Sequence, residues 1–185
     1  MNITLHRTTL LVCVLAGALA LAMALVAAKD VSAAPSPKLA GGATQISGVA
    51  FFDVDNTCHF ESVEGADYAL LMTEETTEGL DGCLYTFADE ENARRSPSGT
   101  YLETGTELFV ASDGSSTFST TYRFEAKYED VGMYPNPPIG EIFGRCQHPI
   151  VEGSGTGIYE GVSGELFFKD NVETGEYPYR GHLRY

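Results

Sequence analysis

Regular alternation between apolar and polar side chains is the feature that most constrains how this chain folds. From Thr117 to Tyr128 every second residue belongs to a mostly apolar set, and the residues between them are polar or charged. A period of two places these sets on opposite faces of a β-strand. The set expected to face a core comprises Phe118, Thr120, Tyr122, Phe124, Ala126 and Tyr128. The pattern therefore predicts a long strand with one buried and one solvated face.

A β-hairpin is predicted around this strand, because the Asp113-Gly114 pair before it is typical of a tight hairpin turn. In the partner strand, predicted at 100–110, two sets of side chains alternate: Leu102, Leu108 and Val110, and Glu103, Glu107 and Phe109. Further strands are predicted at 46–52, 58–63, 68–73, 83–87, 141–151, 165–169 and 175–185. The charged segment 89–95 is predicted to be a loop or a single helical turn.

The strand count predicts the fold class. About eight antiparallel strands with short turns form an all-β domain, either a closed barrel or a sandwich. The last predicted strand stays apolar on one face up to the final residue, through Tyr177, Tyr179, Leu183 and Tyr185. Closure of a barrel explains this pattern, because it gives the last strand a neighbour on both sides.

The N-terminal segment has the layout of an export signal. Arg7 precedes an almost wholly apolar run at 8–28, and Val31-Ser32-Ala33 supplies small residues suited to cleavage. We therefore expect a signal peptide at 1–33, a linker rich in Pro, Gly and Ala at 34–43, and one secreted domain at 44–185. An uncleaved N-terminal membrane anchor is the alternative, because roughly 20 apolar residues can span a bilayer.

The part expected to be exported is strongly acidic. Without Arg7, Lys29 and Asp30 it retains 9 basic and 25 acidic side chains, so its formal net charge is −16. Such a surface disfavours nucleic acid and, once the signal is removed, anionic membranes. A solvated acidic coat is the simpler interpretation, and an acidic recognition surface is the alternative.

Three cysteines remain outside the expected signal, which contains Cys13. In an oxidising compartment two of them are expected to pair. We predict a Cys58–Cys83 disulfide, because both residues lie in the N-terminal half of the domain and would close a short loop. Cys146 is then either a buried or a reactive thiol.

Glycine spacing marks a corner late in the chain. Segment 153–170 carries five glycines before the apolar run Leu166-Phe167-Phe168, among them Gly155, Gly157, Gly161 and Gly164. Glycine adopts positive φ and permits close backbone approach, so this spacing predicts a tight corner that leads into a strand. A phosphate loop is excluded, because it needs Gly-Lys-Ser/Thr at the start of a helix.

The same glycine run, at 155–167, resembles the glycine-rich corner of the allene oxide cyclase barrel, which dirigent proteins share in looser form. Segments 122–128 and 179–185 fall where that barrel has strands, so the resemblance covers roughly 99–185. It implies an eight-stranded antiparallel barrel, often a homo-oligomer, with a ligand cavity and no metal or organic cofactor. Activities in that superfamily include cyclisation of an unstable fatty-acid epoxide, stereocontrol of radical coupling, and cycloaddition. Its polar cavity residues do not transfer, because the strand that supplies most of them does not align.

Cys146 and His148 are the candidates for chemistry. They lie two residues apart on a predicted strand, so they share a face with Ile142, Gly144 and Ile150. If that face lines the barrel interior, thiol and imidazole form an acid–base or nucleophilic pair. The simpler interpretation is a buried cysteine beside a histidine at the rim, since no third group that would orient the imidazole is evident.

A metal site is a weaker candidate. Alternate positions from Asp53 carry oxygen or nitrogen ligands in a partial likeness to a calcium loop, namely Asp53, Asp55, Thr57, His59 and Glu61, with Glu64 beyond. Cys58 stands where such a loop needs glycine, and no helices are predicted beside it. A solvated acidic turn is the simpler interpretation.

Three hypotheses about function follow. The first is a secreted, cofactor-free barrel that binds a small apolar molecule in its lumen. The second is an isomerase or cyclase that acts on a reactive small molecule in the same cavity. The third is a structural exported domain whose barrel is filled by side chains. An open cavity with one or two inward polar groups favours catalysis, whereas a packed lumen excludes both ligand hypotheses.

Overall fold

Nine β-strands make up most of the computed structural model, which describes residues 42–74 and 79–185. The strands are β1 (Thr44–Phe52), β2 (Tyr68–Glu74), β3 (Gly82–Ala88), β4 (Arg94–Arg95), β5 (Thr100–Ala111), β6 (Thr117–Asp130), β7 (Ile139–Pro149), β8 (Ser163–Lys169) and β9 (Glu176–Arg184). Three single turns of 3-10 helix lie between them, at Phe60–Ser62, Glu90–Asn92 and Gly157–Tyr159. In this part of the chain no helix is long and apolar enough to cross a membrane. The predicted signal at 1–33 and nearly all of the linker lie outside the described residues.

Eight of these strands close into an antiparallel barrel. Neighbouring strands pair in the order β3-β2-β1-β9-β8-β7-β6-β5, and β3 also pairs with β5, which closes the ring. The two-residue β4 adds to the edge of β5. The all-β barrel predicted from the sequence is therefore confirmed. The last strand, β9, pairs with both β1 and β8, and its apolar face, with Tyr179 and Leu183, lies in the barrel core.

The antiparallel order sorts the connections to two ends of the barrel. We call one end the mouth; the connections 53–67, 89–99, 131–138 and 170–175 meet there. We call the other end the floor; it holds the hairpin turn at 112–116 and the glycine-rich connection at 150–162. The Asp113-Gly114 turn is confirmed, since Gly114 has φ 70° and the Asp113 carboxylate accepts backbone hydrogen bonds from Ser115 and Ser116, each of 2.8 Å.

The floor is closed by an aromatic core. The rings of Phe109 and Phe118 lie 4.9 Å apart, and Tyr159 contacts them at 5.8 Å and 5.1 Å. Tyr159 comes from the glycine-rich connection, which folds beneath the barrel as the predicted corner. A Cβ atom at Gly155 would overlap the carbonyl oxygen of Tyr159, so only glycine fits there.

A second apolar cluster lies outside the barrel wall. The connection 53–67 packs over β2 and β3 and is held there by the Cys58–Cys83 disulfide, which confirms that pairing. The remaining thiol, Cys146, is buried. The prediction of a strand at 58–63 was wrong. His59 has a positive φ of 49° and leads into a 3-10 turn, because this connection must reverse direction within a few residues.

Candidate functional site

A cavity of about 430 Å³ occupies the mouth half of the barrel interior. Its size is within the range usual for small-molecule sites. The lining combines aromatic rings with acidic groups: Phe52, Tyr68, Leu70, Glu90, Tyr101, Glu103, Glu107, Tyr122, Phe124, Tyr128, Pro137, Pro138, Glu141, Cys146, His148, Phe168, Asp170 and Tyr177. A larger depression of about 580 Å³ lies along β7 to β9, between side chains such as Phe143, Arg145 and Phe167. We place the candidate site in the interior cavity, because buried, hydrogen-bonded polar groups converge there.

Strand β5 delivers two carboxylates to this cavity. Its inward face carries Glu103 and Glu107, of which only 8% and 4% of the surface is exposed. Phe109, the next inward residue, belongs to the floor core. The opposite face of β5, with Leu108 and Val110, packs against the outer cluster around the disulfide. The outer face is covered only at this end of the strand: Thr104 and Thr106 are exposed, and the two glutamates occupy the inward face in alternation with them.

Glu103 is held by two tyrosines. Its carboxylate accepts hydrogen bonds from the hydroxyl of Tyr101, at 2.5 Å, and from that of Tyr122, at 2.6 Å. Burial, and then the hydrogen bond to Glu103, raises the pKa of both phenols. The tyrosines therefore stay protonated and donate, which is the arrangement that stabilises a carboxylate acceptor.

Glu107 orients the imidazole of His148 and so supplies the orienting group that was not evident from the sequence. Its Oε2 accepts a 2.5 Å hydrogen bond from the hydroxyl of Thr120 and lies 2.6 Å from Nδ1 of His148. The imidazole is 3% exposed and packs against the ring of Phe168, 4.4 Å away. With Nδ1–H donated to Glu107, Nε2 of a neutral imidazole is an acceptor. This buried Nε2 has no hydrogen-bond partner in the described part of the chain.

Cys146 and His148 do share the inward face of β7, together with Gly144 and Ile150. The partner recorded for the imidazole is nevertheless Glu107 and not the thiol. Burial, and then the nearby charge of Glu107, raises the pKa of the Cys146 thiol. A thiol kept neutral in this way is a poor nucleophile, so the geometry favours an acid–base role for His148 over a cysteine–histidine pair.

Ile142 does not share that face, contrary to the expectation from alternation. A β-bulge between β6 and β7 pairs Lys127 with Phe143 and Tyr128 with Glu141, so Ile142 is the extra residue and is 55% exposed. A bulge re-aims the side chains beyond it. Here it brings Glu141 into the cavity lining.

Glu141 and Asp170 form a second acidic group nearer the mouth. Both carboxyl groups lie over Gly144, where a Cβ atom would overlap them. Burial, and then the hydrogen bond and charge repulsion from Glu141, raises the pKa of Asp170 to about 8. Burial and these same two carboxyl groups raise the pKa of Tyr177 to about 12.

The weak metal candidates lie elsewhere, in the connection after β1. The Asp53 carboxylate accepts backbone hydrogen bonds from Thr57, at 2.8 Å, and Cys58, at 2.6 Å, while Asp55 is exposed. Asp53 therefore stabilises a turn. Among the described residues no group of three or more His, Cys, Asp or Glu side chains has the geometry to hold a metal ion.

Comparison with known proteins adds no relative: no protein-family model matches the chain, and a search among curated proteins gives no match. Eight-stranded antiparallel barrels occur in unrelated superfamilies. Membership of the allene oxide cyclase and dirigent superfamily therefore stays a prediction from the glycine motif.

Proposed function

We propose that this protein binds a small molecule with an apolar body in the mouth half of its barrel. The observation that carries the proposal is the buried, unpartnered Nε2 of His148 at the wall of a 430 Å³ cavity. A buried polar atom without a partner costs roughly 1–3 kcal/mol. A ligand that hydrogen-bonds to Nε2 would recover this free energy on binding.

The walls suit such a ligand. Leu70, Phe124 and Phe168 offer apolar surface to the body of the molecule, while the polar groups of Glu103, Glu107 and His148 are fixed in place by hydrogen bonds. Sites of this composition bind by apolar contact and orient the ligand through a few polar groups. The hypothesis of a structural domain with a filled barrel is disfavoured, because side chains fill only the floor half of the interior.

Proton transfer is a second candidate function, favoured by the Glu107–His148 pair. A carboxylate on Nδ1 fixes the tautomer in which Nε2 is a base. In this scheme Nε2 takes a proton from a carbon next to an electron-withdrawing group, and the resulting imidazolium returns it to another atom of the same molecule. The net reaction is an isomerisation that consumes no oxidant or other co-reactant.

The family and the location belong to the same proposal. The glycine motif and the closed barrel support an allene oxide cyclase-like, cofactor-free protein. The Cys58–Cys83 disulfide is compatible with an oxidising, extracellular location, in keeping with the expected export signal.

Native mass spectrometry of protein produced from the full 185-residue chain tests the binding proposal. We expect a small-molecule adduct that disappears on unfolding. A His148→Gln variant should lose most of the adduct, whereas the matched variant His182→Gln, on the outer face of β9, should retain it. The proposal fails if the wild-type protein carries no adduct and no compound in a broad screen raises its melting temperature.

Proton transfer is tested with the molecule so identified. In D2O, wild-type protein should exchange deuterium into the ligand, and His148→Gln should abolish the exchange. Binding of the ligand without deuterium exchange would support ligand binding and exclude proton transfer.

A further inference from the structure

We infer that the cavity selects ligands that carry a protonated amine or another organic cation, and rejects carboxylates. This inference rests on the proposed binding function and names its ligand class. It departs from the fatty-acid derivatives that the family resemblance suggests, and it follows from the charges, rings and hydrogen-bond acceptors of the lining.

The lining is acidic throughout. It contains the five carboxyl groups of Glu90, Glu103, Glu107, Glu141 and Asp170, and none of its residues is Lys or Arg. Among the described residues the recorded Arg–carboxylate salt bridge is the outer pair Glu125–Arg145, and the Glu107–His148 contact is an ion pair only when the imidazole is protonated. Glu103 is thus 8% exposed without a recorded cationic partner. A ligand cation would offset this buried charge, whereas a ligand carboxylate would add to it.

Aromatic rings surround the acidic groups. Eight of the lining residues are aromatic: Phe52, Tyr68, Tyr101, Tyr122, Phe124, Tyr128, Phe168 and Tyr177. At the mouth, Phe52 makes edge contacts with Tyr68, at 5.3 Å, and Tyr177, at 5.2 Å. Ring faces attract cations, and cages of several rings are a recurrent way to bind amines and quaternary ammonium groups. The combination of rings and carboxylates therefore matches an organic cation.

The unpartnered imidazole is an independent observation that points the same way. Because Nδ1–H is donated to Glu107, the free nitrogen of a neutral His148 accepts a hydrogen bond. An ammonium group supplies the N–H donor that Nε2 lacks. A ligand carboxylate supplies no donor and would face Glu103 and Glu107.

Three probes of similar shape separate the ligand classes: 2-phenylethylammonium, 2-phenylethanol and 3-phenylpropionate. Calorimetric titration of protein from the full chain at pH 7 should rank the ammonium at least tenfold tighter than the alcohol, with the carboxylate weakest. The wild-type ranking alone tests the inference, so it does not depend on any variant folding.

Charge-neutral variants locate the preference. Glu103→Gln and Glu107→Gln should each reduce the preference for ammonium over alcohol about tenfold, while the matched exposed variant Glu152→Gln should leave it unchanged. Equal loss in Glu152→Gln would mean that general surface charge attracts the cation, which would overturn the site assigned here.

The outcomes distinguish this inference from the proposed function. If the alcohol or the carboxylate binds as tightly as the ammonium, the inference is overturned while ligand binding stands. If no probe binds, the charge of the co-purified molecule tests the inference. A cationic molecule would support the inference, and a neutral or anionic molecule would overturn it. If there is neither probe binding nor a co-purified molecule, both proposals fall together.

Discussion

The floor and the mouth halves of the barrel interior use the same strands for opposite purposes. On β5, Phe109 is fully buried in the floor core, while Glu107, the preceding inward residue, holds His148 in the cavity. On β6, Phe118 packs in the floor and Thr120 donates to Glu107. One step along each strand changes the interior from dense apolar packing to a polar cavity.

This difference separates stability from function. The floor gains from apolar burial at about 25 cal/mol per Å² and from close packing. The mouth half holds carboxyl groups that are costly to bury unless each finds a partner. The mouth is therefore expected to be where stability is given up for binding, as is common at functional sites.

The largest effect is expected from a floor truncation. Phe109→Ala removes a fully buried ring that contacts both Phe118 and Tyr159, and should lower the free energy of unfolding by about 3–5 kcal/mol. Urea denaturation measures the loss. The matched mouth variant is Phe124→Ala, which removes a ring that is only half-buried. It should reduce the free energy of unfolding less than Phe109→Ala does, and it should weaken ligand binding more. Equal losses of stability would contradict the division between the two halves.

Removal of the disulfide should cause the next largest loss of stability. Cys58 and Cys83 are 25 residues apart in sequence, so their bond should contribute about 3 kcal/mol by restricting the unfolded chain. The double variant Cys58→Ser, Cys83→Ser should unfold at correspondingly lower urea, and reductant should shift the wild-type protein by a similar amount. Peptide mapping after thiol labelling without reductant is the check: modification at Cys58 or Cys83 would refute the bond, and Cys146 should react only after unfolding.

The architecture was predictable where one strand face meets solvent. In β6, Phe118 and Tyr122 are buried while Thr121 and Arg123 are exposed, so alternation alone assigned the faces correctly. The glycine corner and the hairpin turn were also predictable, because positive φ restricts the residue types that fit.

The acidic site was not predictable, because both faces of β5 carry apolar side chains. Leu108 and Val110 look like core residues, and they are covered by the outer cluster, so alternation left the direction of Glu103 and Glu107 open. The sequence signals for inward carboxylates were Tyr101, two residues before Glu103, and Phe109, two residues after Glu107, on the same face of the strand. The Glu107–His148 contact joins residues 41 apart across β6, and it needed the strand register.

Two further errors have local causes. The bulge beside Tyr128 moves Ile142 outward and Glu141 inward, and no turn residue marks it in the sequence. The predicted strand at 58–63 alternates well, but the disulfide and the positive φ at Asn56 and His59 impose a turn. Long-range constraints override local pattern in both places.

A smaller effect is expected at the glycine corner under the floor. Gly155→Ala places a Cβ atom against the carbonyl oxygen of Tyr159 and should cost about 1–3 kcal/mol by displacing it. Gly161→Ala is the matched control: φ is 80° but no atom lies within 4 Å of the added Cβ, so only backbone strain of about 1–2 kcal/mol applies. Melting curves with Phe109→Ala as the background extend the test. If Gly155→Ala lowers the melting temperature as much in the Phe109→Ala background as in the wild type, the glycine corner does not stabilise the protein through the floor core.

The smallest effect concerns the mouth and depends on pH. The folded protein holds the pKa of Asp170 at about 8, far above its usual value, because of burial and of Glu141. Between pH ~4 and ~8 the folded state therefore keeps a proton that the unfolded state has lost, so this contribution to stability is present at low pH and is lost as pH rises. Asp170→Asn cannot ionise. Its stability relative to wild type should therefore increase from pH 4 and level off near pH 8. For a fully buried carboxyl group this shift would amount to several kcal/mol, and screening by solvent at the open mouth should reduce the increase to the order of 1 kcal/mol.

Urea unfolding at several pH values between 4 and 9 measures this difference. Asp55→Asn, an exposed carboxyl outside the barrel, is the control, and its curve should stay parallel to that of the wild type. Glu141, Tyr128 and Tyr177, which line the cavity together with Asp170, are present in all three proteins, so the difference reports the ionisation of Asp170 together with its interaction with Glu141. Parallel curves for Asp170→Asn as well would show that the mouth carboxyl groups are solvated enough to ionise freely. The cost assigned to the mouth half would then rest on Glu103 and Glu107, deeper in the cavity.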